Sequence, residues 1–314
     1  MRNYFLLFLI VLGVVVSGCN KDDKLENDEI KPEARQISRI DRYDEKQNNV
    51  EICTLTYDSQ GRIAEIASEY LYPEDPEWEW EWRESYSYPD AGTLVITYFG
   101  DTNYDGKIDS QDDYVETATL NDSGYVTSVK GNNEFATESR FVYTDGYLTK
   151  TGVFDNEDVK AASAVKSAYG GMLKNLLPDR KALTKSKGAD EYFKYTVYEW
   201  KDGSLASWQN RDTDGWKGNL YTYAYDLKIR NKPCGIDLFW LITDEETIPL
   251  NMFGKSSQYL PDTESFQDED GLYAATIAYR YERDDSDYVT KIFEKRKGNV
   301  PESLKYQITY QVAE

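Results

Sequence analysis

Residues 55–66 read LTYDSQGRIAEI: an alternating run ending in tyrosine, an Asp-rich turn closed by Gly61, then a second alternating run. Alternation at period two puts one face of each run on a core and the other in water. Glycine supplies the positive φ of a tight turn, and the Asp side chain caps the turn amides. The pattern recurs as YSYPDAGTLVIT (86–97), ATLNDSGYVTSV (118–129), FVYTDGYLTKTG (141–152) and YEWKDGSLASWQ (198–209). IAYRYERDDSDYVTKI (277–292) repeats it without the glycine. Turn glycines Gly61, Gly92, Gly124 and Gly146 stand 31, 32 and 22 residues apart. Hairpin after hairpin predicts an all-β antiparallel meander over 36–314, either a large curved sheet or a barrel.

One segment departs from this texture. In EDVKAASAVKSAYGGMLKNLL (157–177), Val165, Tyr169, Leu173 and Leu176 fall at helical spacing, and Pro178 ends the run. The spacing predicts a helical insertion, kinked or divided at Gly170-Gly171, whose apolar stripe packs on the sheet or meets a partner.

At the N-terminus, Arg2 precedes an apolar run from Tyr4 to Val16, and Ser17-Gly18 precede Cys19. The run is too short for the ~20 residues of a membrane span. It resembles the signal and lipobox of bacterial lipoproteins. That resemblance implies removal of residues 1–18 and lipidation of Cys19, which anchors the chain to outer-membrane lipid. Residues 19–35, including NKDDKLENDEIKPEA, read as a disordered tether. Lys21-Asp22-Asp23 resembles the surface-export signal of Bacteroidetes lipoproteins and implies a location facing the cell exterior, the periplasmic face being the alternative.

The chain carries a net charge of −21 with no histidine among 314 residues. Such acidity repels nucleic acid. Without histidine there is neither the usual neutral-pH general base nor a base to activate a cysteine or serine. Cys53 and Cys234 leave two readings open: an export-compatible bridge, or two separate small apolar side chains.

The hairpins resemble the tyrosine–aspartate repeats of Rhs-type proteins in degenerate form. With the lipobox, NKPCGIDLFW (231–240) and FGKSSQYLP (253–261), they also resemble a lipoprotein family of unknown function with a porin-like β-fold. The resemblance implies a fold and no catalytic residues. The strands set Thr, Ser, Glu and Lys opposite their aromatics, and mean hydropathy is −0.71. A water-facing sheet on a lipid tether is therefore expected rather than an inserted barrel.

The strongest chemical motif is DTNYDGKIDSQD (101–112), which resembles an EF-hand loop of the dockerin type. Asp101, Asn103 and Asp105 take positions 1, 3 and 5, and Gly106 the sharp turn. Lys107 offers its carbonyl, Asp109 takes position 9, and Asp112 position 12. A hard cation wants six to eight oxygens, and this spacing converges them on Ca2+. Strand-like sequence on both sides predicts a structural calcium clip between strands.

Trp78, Trp80 and Trp82 share a parity with Tyr86 and Tyr88. Near Pro73 and Pro76, Trp78 and Trp80 are the candidates for stacking on a ligand; packing is the ordinary role of such rings. The functional expectation is a non-enzymatic, calcium-stabilised module binding glycan or surface protein. A carboxylate-dependent glycan hydrolase and a component docking on an outer-membrane transporter are the alternatives.

Overall fold

The computed structural model describes residues 35–71, 80–100, 114–132, 138–154, 194–212, 215–243, 251–298 and 300–312. The segment 157–177, where a helix is expected, lies outside them. Strands β1 (Arg35–Tyr43), β2 (Asn49–Tyr57), β3 (Ile63–Tyr70) and β4 (Trp80–Asp90) are followed by β5 (Thr93–Phe99) and β6 (Tyr114–Leu120). Then come β7 (Val126–Gly131), β8 (Glu138–Thr144), β9 (Tyr147–Phe154), β10 (Lys194–Lys201) and β11 (Ser204–Asp212). After β12 (Lys217–Ala224) comes the helix α1 (Leu238–Thr243), then β13 (Thr263–Gln267), β14 (Ala274–Arg283), β15 (Val289–Arg296) and β16 (Ser303–Val312). Each strand pairs antiparallel with its sequence neighbour, and β1 pairs with β16, so the meander closes into a 16-strand barrel. Of the two architectures the sequence leaves open, the closed one is found, and closure removes both sheet edges.

The turns form as their residues dictate. Asp145-Gly146 and Asp202-Gly203 both have positive φ at each position, the two-residue turn that matches strand twist. In the longer turns, Oδ1 of Asp58, Asn121 or Asp284 accepts the amides two and four residues on. The left-handed position is filled by Gly61, by Gly124 and, in the copy without glycine, by Asp287 at φ 66°.

A second device ties the hairpins together. An aromatic near the end of an even-numbered strand donates to a backbone carbonyl at the start of, or just before, the preceding odd-numbered strand. The bonds run Tyr57 to Ile37 (2.7 Å), Tyr88 to Ile63 (3.2 Å) and Tyr143 to Val126 (2.6 Å). They continue with the Trp200 indole to Leu148 (2.6 Å), Tyr225 to Leu205 (2.6 Å), Tyr281 to Pro261 (2.5 Å) and Tyr310 to Val289 (2.6 Å). Several of these carbonyls sit beside a register shift: Ile63, Val126, Leu148 and Val289 are each the first paired residue past a bulge. A bulge disrupts the regular ladder, and here the phenol or indole occupies the carbonyl beside it. In β6 the corresponding place holds Leu120, whose side chain has no donor.

These aromatics mark one end of the barrel, and that end is closed from within. The connection between β12 and β13 folds into it rather than over it. Five residues of α1, Leu238 to Ile242, are buried. Phe253 packs on Phe141 of β8, Trp240 on Tyr198 of β10, and Phe239 on Tyr223 of β12. Backbone amides of Ile37 and Val126 donate to Cys234 and Met252 of the plug, and Lys255 and Gln258 donate back to turn residues Gly146 and Gly203. Asp237, buried, caps the helix by accepting the Phe239 amide at 3.0 Å and the Asn231 side chain at 2.9 Å. Gly254 lies so close that an added Cβ would stand 2.7 Å from the Gly146 carbonyl. Thus NKPCGIDLFW and FGKSSQYLP are the plug. Cys53 and Cys234 are both buried and are not bonded to each other. Cys53 lies 3.2 Å from the Ser68 hydroxyl, and the Cys234 thiol faces the Ile236 carbonyl.

Removing one phenol from this ring leaves a carbonyl without its partner, worth about 1 kcal/mol. Tyr143→Phe, Tyr225→Phe and Tyr310→Phe are each expected to lower the urea midpoint by the equivalent of that amount at unchanged m. Gly254→Ala, which combines φ +91° with a backbone clash, is expected to cost more than any of them. Unchanged midpoints in all three Tyr variants would show that these bonds contribute nothing to stability.

Candidate functional site

All even-to-odd turns lie at the plugged end, so the odd-to-even connections lie at the other. At that rim stand the described turns 44–48 and 268–273 and the strand ends Tyr70, Trp80, Phe99, Tyr114, Gly131, Glu138, Phe154 and Lys194. The calcium-loop residues Asp101, Asn103, Asp105, Lys107, Asp109 and Asp112 lie outside the described residues. Their flanking strands are described: β5 and β6 are antiparallel neighbours with Tyr98 opposite Tyr114, so the loop joins adjacent strands of one hairpin. Trp78 and Cys19 also fall outside. Trp80 opens β4 opposite Tyr70, at the same rim. Trp80, Phe99 and Tyr114, the described residues nearest two of these motifs, thus stand where their strands meet this rim.

Beneath the rim the interior changes character. Toward the plug it is apolar, with Leu94, Ile96, Leu148 and Leu205 fully buried. Nearer the rim it holds buried glutamates, each engaged by a neighbour. Tyr86 donates to Glu84, Tyr98 to Glu116 at 3.0 Å, and Tyr279 to Glu264 at 2.8 Å. The Arg42 guanidinium pairs with Glu51 at 2.7 Å, and Arg296 Nε reaches Glu294 at 2.7 Å. Burial pushes the Glu84 carboxyl up to about 8; the Tyr86 hydrogen bond opposes this and the charge on Glu116 adds to it. Glu84 is therefore largely protonated at neutral pH. Burial also holds the Cys234 thiol near 12 and the Cys53 thiol well above its usual value, which leaves neither as a nucleophile. The interior carboxylates are tied into a polar layer that braces the wall.

Aromatic side chains lie above this layer. Trp82 stacks on Tyr98, which meets Tyr114, with centroids 6.4 and 5.6 Å apart. Across the barrel, Trp208 of β11 stacks on Tyr221 of β12 at 3.9 Å, Tyr221 meets Phe266 of β13 at 5.2 Å, and Phe266 meets Tyr273 at 5.9 Å. The parity of Trp82, Tyr86 and Tyr88 is as expected: all three pack against the core. The second row is not evident from sequence, because it forms across three strands whose register is set by the fold.

The outer wall carries ion pairs beside apolar side chains such as Val142, and Phe99 and Phe293 lie under the Arg83 and Arg280 guanidiniums. Arg83 pairs with Glu65, Arg140 with Glu138, Lys291 with Glu282, and Arg280 with both Glu282 and Glu302. Hydroxyls of Thr127, Thr149 and Thr290 donate to carbonyls of neighbouring strands.

No family model matches the chain, and no curated protein matches it. Two solved structures share its fold. A porin-like protein from Bacteroides uniformis ATCC 8492 is 17% identical with a TM-score of 0.56, covering 88% of this chain and 98% of that one. A porin-like protein from Bacteroides vulgatus ATCC 8482 is 12% identical with a TM-score of 0.52, covering 88% and 99%.

The Glu84 environment predicts a pH dependence. Between the ordinary 4.5 and about 8 the unfolded chain has released this proton and the folded chain keeps it. The group's contribution to stability therefore falls as pH rises through that window. Glu84→Gln, neutral throughout, is expected to flatten the stability profile between pH 5 and 8. It should exceed the parent by an amount on the order of a few kcal/mol at pH 8. A variant whose profile parallels the parent's would show that Glu84 is not held protonated.

Together the closed meander and the two solved neighbours make this chain similar in fold to the porin-like proteins of Bacteroides.

Proposed function

We propose that this chain is an exported lipoprotein of the outer membrane, a water-facing barrel anchored through lipidated Cys19. It acts as a calcium-stabilised, non-enzymatic module that binds glycan or surface protein. The observation that carries this reading is the polarity of the wall combined with the point of chain entry. A bilayer-spanning barrel needs an apolar outer band, and a Lys or Arg at the midplane costs about 2–4 kcal/mol. Arg83, Arg140, Arg280 and Lys291, with their acidic partners, stand on the outside of this barrel. Its fully buried apolar groups, such as Leu94, Ile96, Leu148 and Leu205, face inward.

β1 begins at the plugged end, where Arg35 pairs with Asp284 of the β14–β15 turn. The plugged end is thus where the described chain enters the barrel, and the opposite rim is where the longer stretches between strands begin and end. Binding surfaces are commonly built on such loops over a rigid scaffold. An external supply of calcium suits the motif at 101–112, and at about 100 times the dissociation constant it would stabilise the fold by about 2.7 kcal/mol.

Three tests bear on this. Melting of the mature chain is expected to rise by several degrees with calcium over chelator, and Asp101→Ala should abolish the difference. No difference in the parent would remove calcium from the reading. In cells, Cys19→Ala should shift the protein from the membrane fraction to the soluble one. A glycan array and a surface-protein pull-down that both come back empty would defeat the binding-module reading.

A further inference from the structure

Trp216, just before β12, and the turn 268–273 leave large apolar side chains in water. Trp216 is 39% exposed, Tyr273 60% and Leu272 87%. Such residues gathered on adjacent hairpins, rather than scattered singly, mark a binding surface. These are not loose ends. The Trp216 indole N–H donates to Glu269 on the neighbouring hairpin at 2.6 Å, and its backbone amide donates to Asp212 at 2.8 Å. Two bonds fix the turn 268–273: the Asp268 amide donates to the Tyr273 carbonyl at 3.0 Å, and the Tyr273 amide donates to Asp268 Oδ1 at 3.1 Å.

From Tyr273 the rings step inward through Phe266 and Tyr221 to Trp208, at 5.9, 5.2 and 3.9 Å. An exposed aromatic edge thus continues a row of rings that descends into the mouth of the barrel.

We infer that this edge, Trp216 and Tyr273 with Leu272, is a stacking site for a neutral oligosaccharide. The inference rests on the binding-module reading and moves its contact surface away from Trp78 and Trp80. Trp and Tyr faces pack on the apolar faces of sugar rings, and rings already tied down lose little freedom on binding. The surrounding polar groups are acceptors, Asp212, Asp268 and Glu269, which suit a ligand rich in hydroxyl donors. The net charge of −21 opposes an anionic polysaccharide. A basic peptide is the competing occupant, since these carboxylates keep their charge while Glu269 accepts the indole and Asp212 and Asp268 accept backbone amides. The ring faces favour the sugar, and the lysine-rich probe below decides between the two. The remaining lone pairs of the carboxylates still accept from hydroxyls.

The test uses the full chain, titrated with neutral gluco-, xylo- and manno-oligosaccharides by tryptophan fluorescence and calorimetry. Polygalacturonate and a lysine-rich peptide serve as charged probes. At least one neutral series is expected to bind, with Trp216→Ala and Tyr273→Ala each weakening it about tenfold. Tyr273 is mostly exposed, so melting temperature should hold in Tyr273→Ala, and Trp216→Phe, which keeps a ring without the bond to Glu269, should retain part of the affinity. Neutral saccharide binding that is unchanged in both variants, or lost only in Trp78→Ala and Trp80→Ala, would overturn this site and leave the module reading standing. So would binding of the lysine-rich peptide with no neutral saccharide bound. Empty glycan and protein screens would defeat both readings.

Discussion

The fold depends on a hydrogen bond that joins neighbouring strands: an aromatic donor at the end of one strand reaching a carbonyl at the start of the strand before it. Seven such bonds occur among the described residues, from Tyr57 to Tyr310. Each occupies a carbonyl where the chain enters a strand, often beside a bulge. Burial raises these phenols, Tyr88 to about 12 and the others higher, so they remain protonated donors across the physiological range. Their rings also line the end of the barrel that receives the plug. Tyr57 stands over Gly235, and Tyr143 over Gly254. Bulge, donor and plug are therefore one arrangement, and the glycines are required where ring or backbone comes closest.

The plug gives the barrel a direction. One end is filled by α1 and its flanking segments, tied by backbone bonds to strands and turns. The other carries the longer connections above a layer of glutamate–tyrosine pairs. The radial order is equally definite: the fully buried apolar side chains and the glutamate layer lie inside, and further ion pairs and threonine hydroxyls lie outside with a few apolar side chains such as Val142. The exposed ion pairs contribute little to stability; they are the observation on which the proposed water-facing reading rests. The porin-like proteins of Bacteroides share the strand architecture, and at 17% and 12% identity that likeness concerns fold alone.

Much of the fold was legible in the sequence because hairpins are local. Asp-Gly turns, Asx caps and period-two alternation each write themselves into a few consecutive residues, as in FVYTDGYLTKTG (141–152). Closure was not legible, since the pairing of β1 with β16 joins residues such as Arg35 and Val312 from opposite ends of the chain. Nor was the plug. NKPCGIDLFW offers one turn of apolar residues, too short to show helical periodicity, and Asp237 declares itself a cap only once α1 is seen. The aromatic row from Trp208 to Tyr273 escaped for a related reason: its members lie on different strands, and only register brings them together. Trp78, Trp80 and the loop at 101–112 stood out instead because their signals are contiguous.

A fluorophore on the outer wall decides whether this barrel is turned toward water and stands on a lipid tether, as proposed. Val142→Cys on β8 provides the attachment point: the position is 42% exposed, while Cys53 and Cys234 are buried. The labelled, purified lipoprotein is bound to vesicles. Strong quenching by an aqueous quencher, and none by quenchers carried on lipid acyl chains, is expected. Quenching from the acyl chains, with protection from the aqueous quencher, would show a wall embedded in the bilayer and contradict the water-facing barrel.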